Sequence, residues 1–176
     1  MLSTFFILLI SILLLSVAVD TVRLGISPMP SSKRAKQAIL SIPKNGLIYE
    51  LGSGWGNLAF ALAEKYPIRC FECAFLPWIF SSLLKVIRRR KNISIERKNF
   101  FSENLSKADV VVCYLYPGAM EKLKDKFENE LKSGALVISN SFQIPGKKPD
   151  HVIEVNDWMH CNIYCYQFPF KESDLR

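Results

Sequence analysis

The sequence predicts an α/β domain built on a doubly wound, mostly parallel seven-stranded sheet, with a transmembrane helix ahead of it. Three observations carry that expectation. Strand-like and helix-like runs alternate from residue 35 onward, the order that folds into a sheet covered by helices on both faces. The run Val110–Leu115, VVVCYL, is apolar throughout, as a strand buried on both faces must be. Residues 49–56 read YELGSGWG, with Gly52, Gly54 and Gly56 at alternate positions between a strand and a helix. Glycines there let backbone amides approach a ligand closely, since no Cβ stands in the way.

At 176 residues the chain supports one domain with a proper core. Lys and Arg outnumber Asp and Glu by 23 to 16, an excess that points to an anionic neighbour, lipid headgroups or nucleic acid, without choosing between them. The five cysteines are an odd number scattered through apolar runs, which argues against a disulfide framework. Cys70 and Cys73 have C-x-x-C spacing, but in a strand positions three apart face opposite ways. Buried thiols in a reducing compartment, and no metal site, are therefore expected.

Residues 2–19, LSTFFILLISILLLSVAV, hold no charge and no proline. As a helix they would extend ~27 Å, enough for a bilayer core. Ser16-Val17-Ala18 resembles a signal-peptidase site, but no Lys or Arg precedes the apolar run, so the basic start of a signal peptide is missing. Arg23, Lys33, Arg34, Lys36 and Lys44 follow it, against Asp20 alone before Glu50. The positive-inside rule then places the globular domain in the cytoplasm behind an uncleaved single-pass anchor. The expected organisation is an anchor over 1–22, a linker over 23–34 (two prolines and several serines), a domain over 35–170 and a polar tail over 171–176.

Within the domain, a short helix from Ala35 to Ile42 stops at Pro43. The strand Leu47–Leu51 enters the glycine loop, and Asn57 opens a helix whose Leu58, Ala61 and Leu62 share one face. Ile68–Cys73 forms the second strand, with Glu72 at its tip, where such sheets place a carboxylate that receives ribose hydroxyls. Pro77 suits the first turn of the next helix. Ile79, Leu83, Val86 and Ile87 give it an apolar stripe, and Arg88-Arg89-Arg90-Lys91 complement the dipole at its end. Ile93 and Ile95 mark a third strand and Val110–Leu115 the fourth. Met120, Leu123, Phe127 and Leu131 are the inward face of a helix capped by Gly134. Leu136–Ile138 makes a fifth strand, and Val152–Val155 with Ile163–Phe168 a closing antiparallel pair.

Spacing narrows the ligand. A dinucleotide fingerprint requires a further glycine where Asn57 stands, and a phosphate-binding P-loop requires Lys-Ser/Thr where the chain has Asn57-Leu58. Ser53 lacks the flanking glycines of a nucleophile elbow, since Leu51 and Trp55 occupy those places. Acid-x-Gly-x-Gly-x-Gly, with Glu50 as the acid, instead resembles motif I of class I S-adenosylmethionine (SAM) methyltransferases, which have a Rossmann-like fold. The Pro-Met-Pro-Ser lead-in at 28–31, ELGSGWGN, RKNFFSENLSKADVVVCYLYPGAMEKL and ELKSGALVISNSFQIPG are together similar to small membrane-anchored bacterial relatives of the FAM173-type protein-lysine methyltransferases.

That resemblance implies SAM as cofactor, with Glu50 near its methionine end. Gly52, Ser53, Gly54 and Gly56 would lie under its carboxypropyl chain, Glu72 on the ribose, and Asn99 and Phe100 beside the adenine. Leu115-Tyr116-Pro117 would border the transferred methyl, Tyr116 as a wall of the methyl channel; no general base is identified. Trp55 departs from the Asp that relatives commonly carry. Enzymes that methylate base amino groups typically have Asn/Asp-Pro-Pro-aromatic where this chain has Tyr116-Pro117-Gly118, which speaks against a nucleic-acid acceptor. The expected function is methylation of a protein lysine at the cytoplasmic face of a membrane, by resemblance a bacterial inner membrane. A lipid or small-molecule acceptor, or a non-catalytic membrane-tethered binding protein, are the alternatives.

Overall fold

The computed structural model describes residues 31–42, 45–156 and 161–172, with Thr4, Phe6, Ile7 and Ser11 as separate helical positions. The expected anchor (apart from those four positions), residues 23–30 of the expected linker, Pro43 and residues 173–176 of the tail lie outside the described residues. Among the described residues no helix is long and apolar enough to cross a membrane.

Seven strands form one sheet: β1 (Ile48–Leu51), β2 (Ile68–Phe71), β3 (Ile93–Glu96), β4 (Val110–Cys113), β5 (Leu136–Asn140), β7 (His151–Glu154) and β8 (Asn162–Gln167). Their order is β3-β2-β1-β4-β5-β8-β7. The first five are parallel, and β8 and β7 close the edge antiparallel, as the sequence predicts. A separate two-stranded ribbon pairs β6 (Lys147–Lys148) with β9 (Lys171–Glu172), so residues 171–172 are a short strand where a polar tail was expected.

Helix α1 spans Lys33–Ser41 and starts inside the expected linker. Ser32 caps it, its Oγ accepting the Ala35 amide at 3.0 Å, which satisfies one of the helix's orphan donors. Helix α2 (Asn57–Leu62) buries Leu58, Ala59, Phe60 and Leu62, while Ala61, expected inward, is half-buried. Helix α4 (Pro117–Glu130) buries Met120, Leu123 and Phe127 as expected. Its C-cap is Leu131; Gly134 lies beyond it in a turn with φ +85°, its amide donating to Phe168 O at 2.9 Å.

Strand alternation divides the core in two. Tyr49, Leu51, Phe71 and Val111 pack with α4 residues Met120, Leu123 and Phe127 on one face. Ile48, Ile68, Cys70 and Val112 pack with Ala35, Ile39 and Leu58 on the other.

Helix α3 (Phe75–Ile87) has Pro77 in its first turn, as expected, and its apolar stripe faces outward. Its fully buried positions are Pro77 and Ser81, and Ile79, Leu83, Val86 and Ile87 are exposed together with Phe75 and Phe80. Small inner side chains let the helix sit close to the glycine loop: a Cβ added at Gly56 would lie 3.2 Å from Ser81 Cβ.

Candidate active site

The sheet reverses its winding between β1 and β4, which flank each other, so the crevice beyond their carboxyl ends is the natural ligand site. The glycine loop fills the β1 side of it. Gly52 and Ser53 donate their amides to Phe71 O at 2.9 and 3.2 Å, and Gly56 donates to Ser53 O at 3.0 Å. Gly52, Gly54 and Gly56 have φ of 74°, 52° and 81°, the left-handed region in which a side chain is strained. Their surroundings differ. A Cβ at Gly52 would meet Leu115 Cδ2 at 3.2 Å and one at Gly56 would meet Phe60 Cε2 at 2.9 Å, whereas one at Gly54 would meet nothing within 4 Å. Gly52 and Gly56 thus serve packing, and Gly54 floors an open cradle that a side chain would fill.

Glu72, directly after β2 and buried, spans this loop. Its Oε2 accepts the Gly54 amide at 2.6 Å and its Oε1 the Ala74 amide at 2.8 Å. Glu50 lies opposite Cys70 in the parallel β1–β2 register, and the Cys70 thiol reaches its Oε2 at 3.8 Å. Burial pushes the Glu50 carboxyl up to about 8; the thiol offsets part of that and the nearby Glu72 charge adds to it. Burial also raises the Cys70 thiol well above its usual range. Ser53 Oγ is buried with no hydrogen-bond partner among the described residues, a state that few buried polar atoms of a folded protein are left in.

The expected adenine pair divides. Asn99 is exposed at the end of β3, its Oδ1 accepting the Phe101 amide at 3.0 Å. Phe100 belongs to the same core cluster as the buried face of α4, and its ring centroid lies 4.6 Å from that of Phe101. Trp55 meets Phe80 of α3 edge-on, with centroids 5.4 Å apart. Leu115 is buried against the loop, and half-buried Tyr116 is the N-cap residue of α4. Of the thiols expected to be buried, Cys73 is half-buried and outside β2, its Sγ 3.3 Å from Lys98 O. No group of three or more metal-ligating side chains gathers among the described residues.

Two features escaped the sequence. Tyr114 and Phe142, just past β4 and β5, stack with centroids 6.4 Å apart and planes 22° apart. Asn140, buried at the end of β5, donates to Ser31 Oγ at 3.1 Å and so joins β5 to the residue before the α1 N-cap. A polar residue closing an apolar strand was the available signal for Asn140.

Residues 50–151 match the model of the ANTKMT methyltransferase domain. The chain belongs to that family. It is a methyltransferase, and its methyl donor is SAM. The methyltransferase is 30% identical over 146 residues, 78% of its length, to a protein-lysine N-methyltransferase of Saccharolobus islandicus, of which it covers 91%. It is 27% identical to the mouse adenine nucleotide translocase lysine N-methyltransferase, over 74% of this chain and 59% of that one. The fold matches an RNA methyltransferase of Salinibacter ruber bound to S-adenosyl-L-homocysteine, with TM-score 0.72, 21% identity and coverage of 83% and 97%. A precorrin-6y C5,15-methyltransferase of Geobacter metallireducens follows at TM-score 0.59 and 13% identity, with coverage of 77% and 88%. Such different named substrates on one fold mean that the acceptor must be argued from the site.

Proposed function

We propose that this methyltransferase methylates the ε-amino group of a protein lysine, tethered by its N-terminal segment to the cytoplasmic face of a membrane. The observation that carries the acceptor class is the exit of β4 and β5. Leu115-Tyr116-Pro117 offers no carboxylate or carboxamide to orient a base amine, and the stacked rings of Tyr114 and Phe142 stand beside it. Aromatic faces accommodate an alkylammonium and its methylated products. The names of the two lysine-methylating relatives support the same reading.

SAM supplies a methyl group already activated on a sulfonium, so the protein's work is alignment and the exclusion of water. The open face of Gly54 and the unpaired Ser53 Oγ fit the amino-acid end of such a cofactor. Glu50 lies at the same strand end, where the cofactor's ammonium would draw its carboxyl toward the ionised form. Glu72 would receive the ribose hydroxyls while holding the loop, and the exposed Asn99 amide would meet the adenine edge. A lysine must lose its proton before it reacts, and desolvation of its ε-amino group at the site, working against the cation-binding rings, would favour the neutral form. The ε-amino proton would leave to solvent first, and the neutral nitrogen would then accept the methyl group that the sulfonium supplies.

Incubating the full-length protein in its membranes with methyl-labelled SAM tests this. Label should appear in protein and run as methyl-lysine after hydrolysis. Label confined to the lipid extract would replace the lysine reading with a lipid one. Tyr114→Ala and Phe142→Ala should raise the KM for the acceptor and leave SAM affinity unchanged.

A further inference from the structure

From the outward face of α3 we infer a second membrane contact: this helix lies in the headgroup layer of an anionic bilayer. Phe75, Ile79, Phe80, Leu83, Val86 and Ile87 are all exposed. At 100° per residue they cover an arc of roughly 140°, wide enough to immerse the helix on its side. Leu83, Val86 and Ile87 are 58%, 73% and 74% exposed, so the face is most open over its C-terminal half.

Charge decides what covers it. No acidic residue occurs from Phe75 to Ile95, while Lys85, Arg88, Arg89 and Lys91 crowd the C-terminal end. At the other end the Arg97 guanidinium lies over the Phe75 ring at 5.1 Å. A second copy of this face would bring basic ends against basic ends, and the acid beside them, Glu64, is already paired with Arg90 at 3.1 Å. An anionic lipid surface supplies counter-charge along the whole length, and each basic side chain near it strengthens attachment about fivefold. An apolar arc flanked by cations is the pattern of a helix that lies in an interface rather than across it.

The contact has a functional direction. Phe80 meets Trp55 of the glycine loop at 5.4 Å, so an immersed α3 holds the cofactor crevice at the level of the headgroups. The inference rests on the membrane tether proposed above, and its test separates the two. The full chain carrying Cys73→Ser, whose other cysteines are all buried, receives a polarity-sensitive fluorophore at Leu83→Cys. A control carries it at Asp125→Cys, exposed on α4 against the other face of the sheet. Both are reconstituted in phosphatidylcholine vesicles with or without phosphatidylglycerol, and spin-labelled lipids serve as quenchers.

With phosphatidylglycerol, the fluorophore at Leu83→Cys should shift to the blue and lose most of its emission to the lipid quencher, the one at Asp125→Cys neither. Without it the quenching at Leu83→Cys should weaken; equal quenching would overturn the role given to the basic ends. A chain that resists carbonate extraction but is not quenched at Leu83→Cys overturns the interfacial contact and leaves the tether standing. A chain that carbonate extracts overturns the tether, and quenching at Leu83→Cys before extraction would then still uphold α3 as the contact. A blue shift without lipid quenching means that protein covers the face, and overturns the inference.

Discussion

The Gly54 amide donates to Glu72 Oε2 at 2.6 Å, so one carboxylate braces the loop that floors the cradle and, in the proposed site, would also receive the ribose. Glu72→Ala removes both roles. SAM affinity should fall by on the order of 2–4 kcal/mol, the worth of charge-assisted hydrogen bonds in a buried site. Glu72→Gln keeps one acceptor oxygen for the loop and should lose less. Calorimetry that finds unchanged SAM affinity in Glu72→Ala would remove Glu72 from the cofactor site.

Gly54 and Gly56 separate binding from folding. Both have positive φ, but a Cβ at Gly54 meets open space whereas one at Gly56 meets Phe60 at 2.9 Å. Gly54→Val should abolish SAM binding and cost about 1–3 kcal/mol of stability through backbone strain alone. Gly56→Val adds steric overlap with α2 and should destabilise by more. Thermal melts with and without SAM check the pair. A Gly54→Val protein stabilised by SAM as well as the wild type would refute the cradle.

Glu50 gives the fold a pH dependence of unusual sign. Burial raises its carboxyl from 4.5 to about 8, so across that window the native protein keeps a proton that the unfolded chain has lost. Stability therefore falls as pH rises through the window, and the full loss is present above the native value. Glu50→Gln should flatten this slope and leave the cofactor-free protein more stable than wild type at pH 8. Because a cationic ligand group favours the ionised form, SAM binding near neutral pH should release a proton. Calorimetry in two buffers of different ionisation enthalpy measures that release. A wild-type slope matching that of Glu50→Gln would mean that Glu50 is ionised in the free protein.

What the sequence revealed and what it hid follow from how local each signal is. The place of Glu72 at the end of the second strand was legible because strand, loop and acid lie within one short stretch. The α3 stripe was equally legible as a stripe, but periodicity names a face and not its direction; Pro77 and Ser81 made the opposite side the close-packing one. Ser32 was hidden among linker-like serines, and β6 and β9 are lysine-rich and two residues each, too short to show alternation. The Glu50–Cys70 contact depends on parallel register, which no single strand encodes.

Arg69 is the long-range contact furthest from legibility. Its guanidinium donates to Glu96 Oε1 at 2.9 and 2.8 Å, to Glu103 Oε1 at 3.0 Å and to the Tyr49 hydroxyl at 2.8 Å. It also lies over the Tyr49 and Phe71 rings at 5.1 and 5.2 Å. One half-buried side chain thus joins β1, β2, β3 and the segment after Asn99. Burial would raise the Glu96 carboxyl, but hydrogen bonds from Arg69 and Lys98 hold it below the usual range. Its contribution is therefore present at neutral pH and lost on acidification through the native value. Arg69→Met should cost about 1–3 kcal/mol at pH 7, between the worth of exposed and buried ion pairs, and should flatten the loss of stability in acid. Arg69→Lys should recover little, because an ammonium cannot serve Glu96 and Glu103 in the planar geometry of a guanidinium. Urea melts at pH 4 and pH 7 decide it: an Arg69→Met protein as stable as wild type at pH 7 would show that the cluster is solvated and does not hold the strands together.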